Sequence, residues 1–198
     1  MILNKLRSKK GATFIIVAIM MVILFPVIMS GIIDLNNIHK TSKRLKISLN
    51  AAVKSASSRI DWQQVPNGTL QIDVPKANGV FRDIFSENFR VTPKQVNNYY
   101  EAVDTNSGNK VSFYSTIYNN RHKGSFINFP GAGTIPSQVT NRNITVPVDR
   151  PTVVGVATVK YKLTPLLGGG TINITQFASS ELNDIPQNKQ KSATYPNP

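Results

Sequence analysis

Residues 11–33 read GATFIIVAIMMVILFPVIMSGII, and this run decides how the rest of the chain is organised. It contains no charged residue, and 13 of its 23 residues are Ile, Leu, Val or Phe. Side chains of this kind and number favour insertion into a bilayer by about 6 kcal/mol. As a helix the run is about 35 Å long, enough to cross a hydrocarbon layer of about 30 Å. The sequence therefore predicts a transmembrane helix over 11–33.

A cleavable secretory signal is the main alternative for this run. The apolar part of such a signal is normally about 7–15 residues long and ends in a small-x-small site. The run here is longer, and the residues near its C-terminal end, Ile28, Met29, Ser30 and Gly31, fit a small-x-small site poorly. We therefore expect an uncleaved anchor that is preceded by a short basic leader over 1–10.

The charges that flank the run do not fix its orientation. Four basic residues precede it and four follow it closely, so the rule that positive charge stays inside gives nearly a tie. The basic residues are Lys5, Arg7, Lys9 and Lys10 before the run, and Lys40, Lys43, Arg44 and Lys46 after it.

A second helical pattern follows the apolar run and predicts an amphipathic stem helix over 34–60. Mostly apolar positions recur there at spacings of three and four, and no Pro or Gly interrupts 32–60. The membrane helix and the stem are therefore predicted to form one rod of about 50 residues, ending near Arg59 and Asp61. The small residues near its end suit a helix that lies under a sheet. The stripe consists of Leu35, Ile38, Ser42, Leu45, Leu49, Ala52 and Ala56.

The basic residues of the stem have almost no acids beside them. Residues 34–60 contain six Lys or Arg and one acid, Asp34. Like charges one helical turn apart repel, so the stem is not expected to neutralise itself. Two interpretations of Lys40, Lys43, Arg44 and Lys46 stay open: a solvated face beside anionic lipid headgroups, and contact with an acidic surface on a neighbouring subunit.

Pro26 and Asp34 interrupt the apolar character of this region. Proline removes a backbone donor, so a kink or a locally melted turn is expected at Pro26. Asp34 directly follows the run. It is expected to be either a hydrated acid at the level of the headgroups or a partner for a cation on an adjacent helix.

The segment KKGATFIIVAIMMVILFPVIMSGIIDLNNIHKTSKRLKISLNAAVKSASSRID resembles the N-terminal part of TadE and TadG-like proteins, the minor pseudopilins of tight-adherence (Flp) pilus systems. The shared features are a basic leader that ends at Gly11, an apolar run, Pro26 followed by Gly31 and Asp34, and the Ala-rich NAAVKSAS at 50–57. The resemblance covers about residues 5–60.

The resemblance implies a pilin-like architecture and a structural role in building a surface filament. It implies a single-pass protein of the bacterial cytoplasmic membrane, with the leader in the cytoplasm and the C-terminal domain outside. The expected partners are the lipid bilayer, pilin or pseudopilin subunits and the pilus assembly platform. The residues expected to mediate helix–helix assembly are Pro26, Gly31, Asp34, Leu35, Ile38, Leu45, Leu49, Ala52 and Ala56.

The resemblance also marks Gly11–Ala12 as the candidate bond for prepilin-type processing. Processed pilins usually carry Glu at the fifth mature position, where this chain has Ile16. TadG-like members commonly lack that Glu and keep the leader, so an unprocessed chain is favoured.

The remaining residues predict an exported α+β head domain over 61–180 with a mainly antiparallel sheet, and a flexible tail over 181–198. Phenylalanines at helical spacing predict a helix over 77–89. Phe126, Ile127 and Phe129 are interpreted as a loop pinned to the core or as an exposed contact patch. Strands are predicted over 69–74, 99–103, 110–118, 143–148, 152–163 and 171–178.

The chain offers little material for catalysis. It has no Cys and only two His, so thiolate chemistry is excluded and a histidine relay would have to use His122. The run Asp104, Asn106 and Gly108 resembles part of a calcium loop, yet Ser115 stands where the acidic twelfth ligand is needed. We therefore expect no catalytic, metal or cofactor site, no cofactor and no small-molecule substrate.

The net charge of +13 could indicate nucleic-acid binding. However, residues 1–60 contain ten Lys or Arg and one acid, so most of the excess lies beside the membrane. Contact with lipid or a subunit explains this more simply than binding to a phosphate backbone. The sequence favours a noncatalytic, membrane-anchored pseudopilin-like protein. The alternative is a single-pass anchored binding module, adhesin-like, that does not enter a filament.

Overall fold

The computed structural model describes residues 9–67, 69–119, 126–129, 144–147, 150–165 and 168–182. These form an α+β structure in which a long N-terminal helix is followed by an antiparallel sheet. This part of the predicted fold class is confirmed. The helices are α1 (Lys9–Ser57), α2 (Val74–Phe89) and a short 3-10 helix (Val65–Asn67). The strands are β1 (Lys94–Val96), β2 (Tyr99–Val103), β3 (Lys110–Tyr118), β4 (Phe126–Phe129), β5 (Ile144–Pro147), β6 (Thr152–Lys162) and β7 (Thr171–Glu181).

Five strands form the main sheet in the order β1-β2-β3-β6-β7, and every neighbouring pair is antiparallel. The strands predicted over 99–103 and 110–118 are β2 and β3, which form a hairpin joined by the turn that contains Asp104. Strands β6 and β7 pair along their whole length, from Thr152 opposite Glu181 to Lys162 opposite Thr171. Strands β4 and β5 pair with each other in a separate two-stranded sheet.

Helix α1 is continuous over 49 residues, so the predicted membrane helix and stem are one element. The helix passes through Pro26 without interruption, and the melted turn expected there is absent. A proline removes one backbone donor, and the helical bonds of the flanking turns are sufficient to keep the helix continuous. The helix ends at Ser57, three residues before the predicted end at residue 60.

The prediction of a strand over 69–74 is wrong, because residues 73 and 74 form the start of a helix. The Asp73 carboxylate accepts a hydrogen bond from the Lys76 N–H at 3.2 Å, and Pro75 stands in the first turn. Both features favour a helix start, so α2 begins at Val74. Within 69–74, only Ile72 forms a β-bridge, with Ile60.

The hydrophobic core lies between one face of the main sheet and the two helices. Phe81, Phe85 and Phe89 of α2 are fully buried. The rings of Phe81 and Phe85 pack against Phe113 of β3, and the ring of Phe89 stacks on that of Phe85. Helix α1 contributes one stripe to the same core, namely Leu45, Leu49, Ala52, Val53 and Ala56. The stem is therefore an integral part of the head and not a free spacer.

Two further expectations need correction. Phe126, Ile127 and Phe129 lie in strand β4 and not in a loop. The predicted tail starts too early, since Glu181 ends β7 and Leu182 is buried. Residues 1–8 of the leader, His122 and residues 183–198 of the tail lie outside the described residues.

Candidate functional site

The N-terminal half of α1 exposes apolar side chains on almost every face. Between Phe14 and Ile33 all large apolar residues except Ile15 and Val27 are exposed, and Phe25 is 60% accessible. A helix that is apolar all round requires an apolar environment. Among the described residues, α1 is the one helix long and apolar enough to cross a membrane. Gly11 and Ala12, the candidate processing site, lie in its first turn.

Asp34 ends this exposed segment and is held by the head domain. It is only 4% exposed. Its carboxylate accepts hydrogen bonds from the Thr164 N–H at 2.8 Å, from Thr164 Oγ1 at 2.7 Å and from Tyr161 Oη at 3.3 Å. Neither expectation for Asp34 is met, because it is not hydrated and its partners are neutral donors from its own chain. Asp34 thus attaches α1 to the end of β6.

The same hydrogen bonds stabilise the charged form of Asp34. The Thr164 backbone N–H and then the Thr164 hydroxyl lower the pKa of the Asp34 carboxyl below its ordinary value, against the opposing effect of burial. One helical turn earlier, Ser30 is also buried, and its hydroxyl has no hydrogen-bond partner within the described part of the chain. The covered face of α1 therefore extends from Asp34 back into the apolar run.

Arg44 makes the second polar attachment between stem and head. Its guanidinium lies 3.2 Å and 3.3 Å from the two carboxylate oxygens of Asp104, donates to the Phe89 carbonyl and stacks 4.2 Å from the Phe89 ring centre. The Asp104 side chain is 2% exposed. The acid that neutralises Arg44 thus lies in the head of its own chain, a contact that neither interpretation of the basic residues included.

Asp104 also organises the turn between β2 and β3. Its carboxylate accepts from Ser107 Oγ at 2.7 Å and from the Asn106 N–H at 3.2 Å. Burial alone would raise the pKa of Asp104, but the Ser107 hydroxyl, the Arg44 guanidinium and the Asn106 N–H outweigh burial and lower that pKa. These donors occupy both oxygens, so the run from Asp104 to Gly108 is a turn and not a cation loop.

The other basic residues predicted to contact lipid or a subunit divide into two groups. Lys46 donates to the Phe177 carbonyl and lies 4.8 Å from the Phe177 ring centre. Burial lowers the pKa of Lys46. Lys40 and Lys43 are exposed. Half of this basic group is thus used inside the head, and the other half faces outward.

The predicted assembly residues are placed mostly inside the chain's own core. Leu45, Leu49, Ala52 and Ala56 are fully buried, and Ile38 is half-buried against them. Leu35 is 68% exposed and is not part of this stripe. Pro26 lies in the exposed apolar half, whereas Gly31 is half-buried beside Asp34.

A different face of the stem is left exposed. Its residues recur at alternating spacings of four and three, so they form one stripe along α1. Ile47, near the middle, is 59% exposed and is the large apolar member. We call this the outer stripe: Asn36, Lys40, Lys43, Ile47, Asn50 and Lys54.

Three of the described carboxylates take part in ion pairs. The carboxylates of Asp73, Asp83 and Asp104 are engaged by Lys76, Arg82 and Arg44. Within the ranges that the structure describes, no group of three or more His, Asp or Glu could hold a metal ion. The candidate functional site is therefore a set of contact surfaces along α1.

Comparison with known proteins gives no match: no family model matches the chain, and no curated protein or solved structure is significantly similar to it. The resemblance to TadE and TadG-like proteins stays a prediction, based on the residues of α1 quoted above.

Proposed function

We propose that this chain is a noncatalytic, membrane-anchored pseudopilin-like protein, similar to TadE and TadG-like proteins, that takes part in assembling a surface pilus or a related secretion filament. Helix α1 crosses the bacterial cytoplasmic membrane once, with residues 1–10 in the cytoplasm and the head outside. Its partners are the bilayer, pilin or pseudopilin subunits and the assembly platform. The observation that carries the proposal is that one 49-residue helix supplies both the exposed apolar segment and part of the head's core.

This continuity has a mechanical consequence that favours a filament subunit. A binding module needs only a tether between its anchor and its head, and a flexible linker is sufficient for that purpose. Here the anchor continues as helix into the core and is attached to the head at Asp34 and Arg44. A displacement of the apolar segment is therefore transmitted to the head as a rigid unit, which is what extraction of a subunit from a membrane into a filament requires.

The structure changes which residues are proposed to make contacts with other subunits. Leu45, Leu49, Ala52 and Ala56 are buried in the chain's own core and are not available. The exposed apolar half of α1 and the outer stripe remain accessible. We assign helix–helix assembly to these two surfaces, with Ile47 flanked by Lys43 and Lys54 as the centre of the contact on the stem.

Site-specific photo-crosslinking in cells that carry the filament system tests this assignment. A photoreactive residue replaces Ile47, and the matched control replaces Trp62, which is also exposed but lies beyond the end of α1. We expect crosslinks from position 47 to pilin or pseudopilin subunits and none from position 62. Normal filaments in a strain that lacks the protein, together with no crosslink from position 47, would contradict the proposal and favour an anchored binding module.

A further inference from the structure

The turn between β6 and β7 lies where α1 is proposed to leave the bilayer. Thr164, just after β6, donates two hydrogen bonds to Asp34, the first residue after the apolar run. The turn is closed by bonds from the Leu163 N–H to the Gly170 carbonyl at 2.9 Å and from the Gly168 N–H to the Pro165 carbonyl at 3.0 Å. These bonds hold the turn beside the end of the apolar segment.

The composition of this turn suits contact with a membrane. Residues 163–170 read LTPLLGGG and carry no charge. Pro165 and Gly168 are exposed. Ser30, which is buried, lies one turn before Asp34 and therefore about 6 Å deeper along α1. One position of α1 is thus buried at a depth where Ile28, Met29, Ile32 and Ile33 of the same helix are exposed.

Exposed lysines lie on the strands just above the turn. Lys160 and Lys162 belong to β6, and Lys110 of β3 is directly opposite Lys160. Like charges directly opposite each other in a sheet are destabilising. Lys110 and Lys160 line a groove that also contains Lys94 and one acid, Glu101, so the groove carries an excess of positive charge. An anionic surface beside these lysines would relieve their repulsion.

We propose that this end of the head docks on an anionic lipid surface. The docking end consists of the described turn residues 163–165 and 168–170, which lie in the headgroup region, and of Lys110, Lys160 and Lys162, which face lipid phosphates. The uncharged turn can approach the interface without desolvating an ionised side chain, and basic side chains near an anionic leaflet are attracted to it. The proposal rests on the membrane-spanning role of α1 and is independent of filament assembly.

Lipid quenching of a fluorophore tests the placement of the docking end. The chain has no Cys, so single cysteines label cleanly. The full chain is placed in phosphatidylglycerol-containing nanodiscs with an environment-sensitive dye at Pro165→Cys, at Ser179→Cys near the far end of β7, or at Phe25→Cys. Headgroup nitroxides are expected to quench position 165 and not 179, and acyl-chain nitroxides to quench position 25. Quenching at 25 combined with equal signals at 165 and 179 would overturn the docking while leaving the membrane-spanning role intact.

Thermal unfolding of the head tests the role of the lysines. The unfolding temperature is expected to be higher in phosphatidylglycerol-containing nanodiscs than in phosphatidylcholine nanodiscs. Lys160→Glu/Lys162→Glu should abolish or reverse this difference. The matched control Lys54→Glu/Arg59→Glu makes the same change of charge on exposed residues far from the turn and should retain the difference. A difference that survives in the Lys160→Glu/Lys162→Glu protein would overturn the proposal.

Discussion

The two halves of α1 form one helix but have different surroundings. In the first half, residues 13–33, apolar side chains are exposed on nearly all faces. In the second half, from Asp34 to Ser57, one stripe is fully buried in the head and the outer stripe is exposed. Among the described residues, the first half thus leaves most of its large apolar side chains exposed, whereas the second half buries one stripe in the head. The helix is therefore a candidate membrane span on one side of Asp34 and a core element of the head on the other.

The largest expected effect comes from placing a charge on the buried face of the second half. Leu49→Asp buries an unpaired carboxylate and removes a fully buried side chain, so we expect the head to lose about 4 kcal/mol or more of unfolding free energy. Ile47→Asp, two residues away on the outer stripe, is the matched control and should cost less than about 1 kcal/mol. Chemical denaturation of the full chain in detergent measures both. Equal losses would mean that the two faces of the stem do not differ as described.

The next largest effect on stability is expected at Gly155, where both helices approach the sheet closely. A Cβ atom there would lie 2.6 Å from Phe81 Cε2 and 2.8 Å from Val53 Cγ1, inside a packed core. We expect Gly155→Ala to destabilise the head by about 1–3 kcal/mol. Gly79→Ala in α2, where a Cβ meets nothing within 4 Å, should instead stabilise it by about 0.5–1 kcal/mol. The two variants, measured by the same denaturation, should change stability in opposite directions.

The polar attachment of stem to head should depend on pH. The pKa of Asp34 and that of Asp104 lie below their ordinary values in the folded protein, so these acids add stability above the unfolded pKa of about 3.9. That stability is lost as the pH falls from there towards the folded pKa values. Asp104→Asn should reduce the loss of unfolding temperature at acid pH, measured by thermal unfolding across a range of pH. If the unfolding temperature of the variant fell with pH as steeply as before, the Asp104 carboxylate would not be stabilised by Arg44 and the turn.

The smallest effect on stability is expected on the outer stripe. Lys43→Ala removes an exposed side chain and should change the unfolding free energy by less than about 0.5 kcal/mol. Arg44→Ala, the neighbouring residue, leaves the buried Asp104 without its cation and should cost about 1–3 kcal/mol. If Lys43→Ala nevertheless lowers the crosslinking yield from position 47 to other subunits, the outer stripe acts in assembly and not in folding.

Much of the local structure could be predicted from the sequence because its causes are local. The apolar run and the absence of Pro and Gly over 32–60 predict one long helix, and α1 has that form. The turn residues after Val103 predict the hairpin of β2 and β3. The prediction of a strand over 69–74 was wrong because Asp73 and Pro75 form a helix start. This start outweighs the alternation of polar and apolar residues before it.

The attachments of α1 could not be predicted in the same way. Asp34 bonds to Thr164, 130 residues away, and Arg44 to Asp104, 60 residues away. No spacing in the sequence connects these pairs, because the fold alone brings them together. Leu35 belongs to the predicted apolar stripe by its spacing from Ile38, yet in the structure the neighbouring Asp34 bonds to the head and Leu35 is exposed.

Labelling of two equally exposed positions tests the central claim most directly. Phe25 and Ile47 are 60% and 59% exposed, so their side chains differ in surroundings only if a bilayer covers the first half of α1. Single-cysteine chains, Phe25→Cys and Ile47→Cys, are treated with a membrane-impermeant maleimide in membranes of cells that lack the filament system, before and after detergent. We predict that Cys at position 47 reacts in both conditions and Cys at position 25 only after detergent. Equal reaction at both positions without detergent would contradict the account.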